Sequence, residues 1–245
     1  YRCPAHWLSS SRAEIQENFQ PLNPYRNPEF LRDWSLANVQ GIGTVTRATE
    51  HLGRGGFILK NRHLGQWQYQ FSGFFRDSLY QGNRHFSRLQ FQRNGWALDA
   101  EGSLLTADAA GELNRFFRPK VHFSKTFQKL NNWKIGAYSE RERNERILAE
   151  SGFLNPSSFY YDLYRVFVES PTSEKFSFGA RYQQREDFAP LESDFVKSTV
   201  ANELNINGNW NVRRTLQWAG NFTYRRLELL NDLLVQDQQR ASETF

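Results

Sequence analysis

In three stretches of this chain apolar side chains recur at every second position with polar ones between them, and that period constrains the fold more than any other feature. Trp67, Tyr69, Phe71 and Phe75, with Gly73 among them, share one side of an extended strand, while Gln66, Gln68, Gln70 and Ser72 share the other. Only Phe74 breaks the order. Phe176, Phe178, Ala180 and Tyr182 stand opposite Lys175, Ser177, Gly179, Arg181 and Gln183, and Leu216, Trp218, Gly220, Phe222 and Tyr224 stand opposite Thr215, Gln217, Ala219, Asn221 and Thr223. A helix of 3.6 residues per turn would scatter these residues around its axis, so the three stretches are strands. Weaker alternation over residues 121–128, 133–140, 159–169 and 200–209 extends the pattern.

Turn formers divide the strands. Asn94-Gly95 suits a two-residue hairpin, and Asn131-Asn132 and Ser170-Pro171 are turn dipeptides. Short connections are expected at residues 61–64, 93–95, 129–132, 170–174 and 210–213, alternating with long polar ones at 77–83, 106–115, 141–158 and 187–196. The expected fold is all-β: an antiparallel up-and-down meander of about ten long strands beginning near Gly55. It forms a transmembrane β-barrel or part of a larger one, since such barrels carry short turns at one end and long loops at the other.

The opening residues differ. Ser11 with Glu14 three positions on reads as a helix N-cap, and Pro21, Pro24 and Pro28 prevent that helix from continuing. One further helical turn is expected at residues 28–34. The chain therefore divides into an N-terminal strap or linker, 1–42, and a β-meander, 43–245.

Composition decides between membrane classes. Hydrophobic residues make up 39% and aromatic ones 16% of the 245, so the apolar surface is concentrated in rings. A mean hydropathy of -0.72 and the lack of a run of about 20 apolar residues exclude a membrane helix. They do not exclude membrane strands, which need only alternate apolar residues. On that reading Trp67, Tyr69, Phe71, Phe176, Phe178, Tyr182, Leu216, Trp218, Phe222 and Tyr224 face lipid. Gln66, Gln68, Gln70, Lys175, Arg181, Gln183, Gln217, Asn221 and Arg225 face the lumen. Trp67, Trp133, Tyr138, Tyr160, Tyr164, Tyr182, Trp210 and Tyr224 fall near strand ends, where amphipathic rings meet lipid headgroups. The other reading is a soluble extracellular β-sandwich that binds glycan through exposed rings.

No pattern of catalysis emerges. The five histidines do not fall at metal-ligand spacing, and Cys3 is the single cysteine. The glycine-rich residues 51–56 match no phosphate-binding loop and read as a loop or the entry to a strand. Asp99 and Glu101 share a strand face, as paired acid–base work requires, yet such pairs are common on polar faces. Residues 140–146 alternate in sign, which suits a solvated loop or a strand running past a membrane. The net charge of +5 is scattered, and arginines interleaved with rings at 84–93 and 213–226 carry no RNA-binding signature. Neither an enzyme, a cofactor, a metal nor a nucleic-acid partner is expected.

Asn27-Pro28-Glu29-Phe30-Leu31-Arg32-Asp33-Trp34, Leu79-Tyr80-Gln81-Gly82-Asn83-Arg84-His85, Phe117-Arg118-Pro119 and Ser124-Lys125-Thr126-Phe127-Gln128-Lys129-Leu130-Asn131-Asn132-Trp133 carry a resemblance. With these the chain resembles large uncharacterised outer-membrane β-barrel proteins of Bacteroidota. The resemblance implies a structural or transport-related envelope role, non-enzymatic, in the outer membrane of a Gram-negative bacterium. Its partners would be outer-membrane lipid, other envelope proteins and further strands of a longer parent chain. Phe245 ends the chain as barrel insertion strands often end, but Gln239, Ala241 and Glu243 lack their alternation. The expectation is an internal piece that does not close by itself.

Overall fold

The computed structural model describes residues 9–15, 33–34, 48–61, 65–76, 79–109, 111–171, 173, 175–213 and 216–230. Their strands are β1 (Ser9–Ile15), β2 (Ala48–Asn61), β3 (Gly65–Arg76), β4 (Tyr80–Arg93), β5 (Trp96–Ala109), β6 (Glu112–Phe127), β7 (Trp133–Leu148), β8 (Phe159–Glu169), β9 (Phe176–Leu191), β10 (Asp194–Arg213) and β11 (Leu216–Leu229). All join one sheet in the order of the chain, with every neighbouring pair antiparallel. The ten strands β2 to β11 form the expected up-and-down meander, starting at Ala48 rather than near Gly55. Among the described residues β1 and β11 do not pair, so the sheet stays open.

Two expectations are corrected. Ser11 caps no helix: Ser9–Ile15 is a strand hydrogen-bonded to β2, because a sheet edge offers every backbone group a partner that a proline-bounded helix of this length cannot match. The alternation of short and long connections does not hold either. Residues 106–109 and 112–115 are strand and only 110–111 connect β5 to β6, while Glu192 and Ser193 alone join β9 to β10. Charged residues there alternate along extended backbone instead of forming loops, and 140–146 likewise lie inside β7. The longest connection between β2 and β11, residues 149–158, folds back on its own stem: Leu154 bridges to Ile147, and the Leu148 amide donates to the Phe153 carbonyl at 2.9 Å. At the opposite end Asn94-Gly95 makes the expected tight turn, both residues having positive φ, as do Asn131 and Asn132. β10 runs on to Arg213, so its turn with β11 comes after the expected 210–213.

Register fixes the strand tilt. Following paired residues across the sheet leads from Trp67 through Leu89, Ala100, Val121, Ser139, Tyr164, Gln184 and Asn202 to Arg226. Trp67 is two positions into β3 but Arg226 is ten positions into β11, a retreat of eight residues over eight strand steps. One residue of about 3.3 Å along for each step of about 4.8 Å across tilts the strands by about 35° against the turn edge.

The sheet's buried apolar cluster sits at the end opposite the Asn94-Gly95 turn. Trp34, 1% exposed, packs its ring against Phe74 at 5.4 Å, and the Tyr80 hydroxyl donates to the Trp34 carbonyl at 2.6 Å. Leu52, Leu105, Ala107, Ala109 and Phe116 complete the cluster, and Asp33 adds an ion pair to Arg84 at 2.7 Å. This explains why Phe74 breaks the alternation: it faces the same side as the glutamines and covers Trp34. Replacing Trp34 by Ala removes the ring that joins the strap to the sheet and should cost about 3–5 kcal/mol. A urea midpoint shift worth less than about 1 kcal/mol would show that the strap adds nothing to the sheet.

Candidate functional site

Cross-strand partners share a face, so the register sorts the side chains of β2 to β11 into two sets. The polar set includes Gln66, Gln68, Gln70, Arg181, Gln183, Gln217, Asn221 and Arg225, paired with residues such as Arg88, Asn205 and Glu203. The other set includes Trp67, Tyr69, Phe71, Phe176, Phe178, Tyr182, Trp218, Phe222 and Tyr224, paired with residues such as Phe57, Leu89, Trp210 and Ile206. Leu216 opens β11, but its side chain lies outside the described residues. Lys175 precedes β9 in the connection from β8, so it does not stand on a strand as expected. Tyr138 is a second correction: it is on the polar face, paired with His122 and Arg165, not among the headgroup-level rings.

The apolar face is layered. Trp67, Trp96, Trp133, Trp210 and Trp218 all lie within a few residues of the turn edge, and four of them are more than 40% exposed. From Trp133 to Arg141, from Phe176 to Gln184, from Trp210 to Asn202 and from Trp218 to Arg226, eight positions separate the ring near the turn from the first polar long side chain beyond. At the computed tilt eight residues rise about 22 Å. Tyr164, Tyr182 and Tyr224 lie toward the far boundary of that belt, each more than 40% exposed. Above it come Arg141 bound to Asp162 at 2.6 Å, Arg143 and Glu145.

The polar face carries charge in stripes. Basic β4 and β6 alternate with acidic β5 and β7, and cross-strand pairs follow: Arg88 with Asp99 at 2.6 Å, Lys120 with Glu101 at 3.8 Å, Arg118 with Glu142 at 3.2 Å. Asp99 and Glu101 are thus each held by a cation of a neighbouring strand, which leaves no free acid–base couple. At the centre, Arg118 also reaches Glu140 at 3.4 Å, and the Tyr161 hydroxyl lies 3.1 Å from an oxygen of both Glu140 and Glu142. Tyr138 donates to Glu140 at 2.5 Å. Glu203 repeats the scheme on β10, taking Arg181 at 3.4 Å and Arg225 at 2.9 Å.

The stripes fail where β8 meets β9. Arg165 on β8 adjoins Arg181 on β9 with no acidic strand between, and a recess of about 600 Å³ opens there. Phe167 forms much of it, stacked on His122 at 5.7 Å with the Lys134 ammonium 5.2 Å from its ring. Its position depends on Gly136, its partner on β7: a Cβ there would come 2.4 Å from the ring. The Arg165 guanidinium lies 5.1 Å over Tyr138, and its Nε donates to Gln183 at 3.3 Å. Of these residues the sequence pattern points to Arg181 alone and not to His122, Lys134, Arg165, Phe167 and Asn205, because they are spread over β6, β7, β8 and β10 and only register brings them together. Among the described residues no group of three His, Cys, Asp or Glu could hold a metal ion.

Arg118→Ala should destabilise the sheet by about 3–5 kcal/mol, since Glu142, 3% exposed, would lose its arginine. The double replacement Arg118→Met with Glu142→Leu should recover most of that loss in chemical denaturation; equal losses in both variants would show that packing, not charge, matters here. No protein-family model, no curated protein and no solved structure matches the chain.

Proposed function

We propose that β2 to β11 form part of the wall of an outer-membrane β-barrel in a Gram-negative envelope, non-enzymatic and with a structural or transport-related role. One observation carries this reading: on β7, β9, β10 and β11 the exposed apolar face forms a belt of the same height. Its rise of about 22 Å approaches the ~25 Å apolar band of membrane barrels, and its edges have the aromatic residues those barrels place at the two interfaces. Strands tilted by about 35° have the slope of membrane strands. The polar face, with its ion pairs and amides, then lines the interior. The resemblance to large outer-membrane barrels of Bacteroidota agrees with this.

A sandwich would need a second sheet over Phe71, Trp96, Phe123, Phe176 and Phe222, all more than 40% exposed. In the single sheet described here, hydrocarbon is the natural cover. The outer edges of the sheet would be paired by further strands of a longer parent chain or by other envelope proteins, because each unpaired backbone group in lipid costs several kcal/mol.

Phe222 stands midway between Trp218 and Arg226 on the apolar face, 56% exposed. On folding from urea into phosphatidylcholine vesicles, Phe222→Arg should cost roughly 2–4 kcal/mol, whereas its neighbour Asn221→Arg, on the polar face, should cost less than about 1 kcal/mol. Equal costs, or a native state that stays monodisperse in water without detergent and leaves vesicles untouched, would overturn the membrane reading and favour the soluble sandwich.

A further inference from the structure

We propose that the recess between β6 and β10 on the polar face binds a small hydroxylated carboxylate, an acidic sugar of the hexuronate kind. The proposal rests on reading that face as the interior of a barrel, where a solute would pass.

Charge is the first argument. From β4 to β7 the cations Arg88, Lys120 and Arg118 are each matched by a carboxylate of a neighbouring strand, but Lys134, Arg165 and Arg181 converge on one recess. Among the described residues Arg165 has no carboxylate within 4.0 Å. Lys134 has Glu169 at 3.6 Å, with that carboxylate side chain 55% exposed, and a contact so wet holds weakly. Arg181 must share Glu203 with Arg225. The recess therefore keeps a positive excess, three cations to the one carboxylate of Glu169, that favours a bound carboxylate, and a guanidinium receives a carboxylate through paired N–H donors.

Shape and neutral groups select the rest of the ligand. A bare inorganic anion would need only the cations. This recess also offers the rings of Phe167 and Tyr138 and the side chains of Asn205, Asn207 and Ser177, which suit the C–H face and the hydroxyls of a pyranose. Asn205 donates its amide to Thr223 at 2.8 Å and to Asn221 at 3.1 Å, so its orientation is set before a ligand arrives. Two glycines make the depth. A Cβ at Gly136 would strike Phe167, and one at Gly179 would come 2.5 Å from the Asn207 side-chain oxygen. The volume of about 600 Å³ lies within the range of small-molecule sites.

Calorimetric titration of the full chain in detergent with galacturonate, galactose and inorganic phosphate tests this. Galacturonate should bind saturably, and galactose and phosphate roughly tenfold or more weakly, since each lacks half of the recognised chemistry. Arg165→Gln should weaken galacturonate roughly tenfold, while Lys60→Gln, on distant β2, should leave it unchanged. Galactose binding equally well, phosphate binding as tightly as galacturonate, or an Arg165→Gln variant with unaltered affinity would each overturn the proposal. So would no binding of galacturonate to protein whose far-ultraviolet circular dichroism shows the native sheet. Vesicle insertion is scored separately: chain that binds galacturonate but stays out of vesicles refutes the membrane reading alone, and chain that inserts without binding refutes this proposal alone.

Discussion

Antiparallel register is the constraint on which everything else in this structure depends. Because side chains alternate with a period of two, a slip of one residue at any strand pair would send a ring into the polar set and a charge into the apolar one. The pairings from β2 to β11 keep one phase over ten strands, so that Tyr69 meets Phe57, Trp210 meets Trp218 and Gln66 meets Gln90. The two bulges, at Lys197/Thr199 and Asn211/Arg213, lie toward the ends of β10, where a shift of phase disturbs few neighbours.

The same register organises the charges. Alternating basic and acidic strands turn what would be a repulsive face into cross-strand pairs. Exposed pairs such as Arg88 with Asp99 contribute at most about 1 kcal/mol each. Their effect is on specificity, because a slipped strand would set like charges opposite one another. Where the stripes break, at β8 and β9, positive charge is left over, and that is where a recess of about 600 Å³ opens. Charge pattern and cavity therefore share a cause: two neighbouring strands that lack an acidic partner between them.

The strap contributes differently. A polar face has little apolar surface to anchor anything, yet Phe74, Tyr80, Leu105 and Phe116 gather on it at the end opposite the Asn94-Gly95 turn. Trp34 fills that spot with both a ring contact and a backbone hydrogen bond, while Asp33 reaches Arg84. This ties a sequence-distant residue to the side of the sheet where solvent would otherwise stand.

The amino-acid sequence by itself determined the strands from β2 to β11, their antiparallel order and the side taken by the rings of the three alternating stretches, because period two and the Asn-Gly and Asn-Asn turns are local signals read within a few residues. It misled at Ser9–Ile15, where capping chemistry suggested a helix, and at residues 106–115 and 187–196, where charge suggested loops. In both places a neighbouring strand supplied hydrogen bonds that local propensity could not foresee. Only the tertiary structure decided the tilt, the shared belt height of β7, β9, β10 and β11, the seat of Trp34 and the recess of Lys134, Arg165, Phe167 and Arg181. The physical reason is that these properties belong to the register between strands, and register sums small cross-strand preferences over residues far apart in the chain.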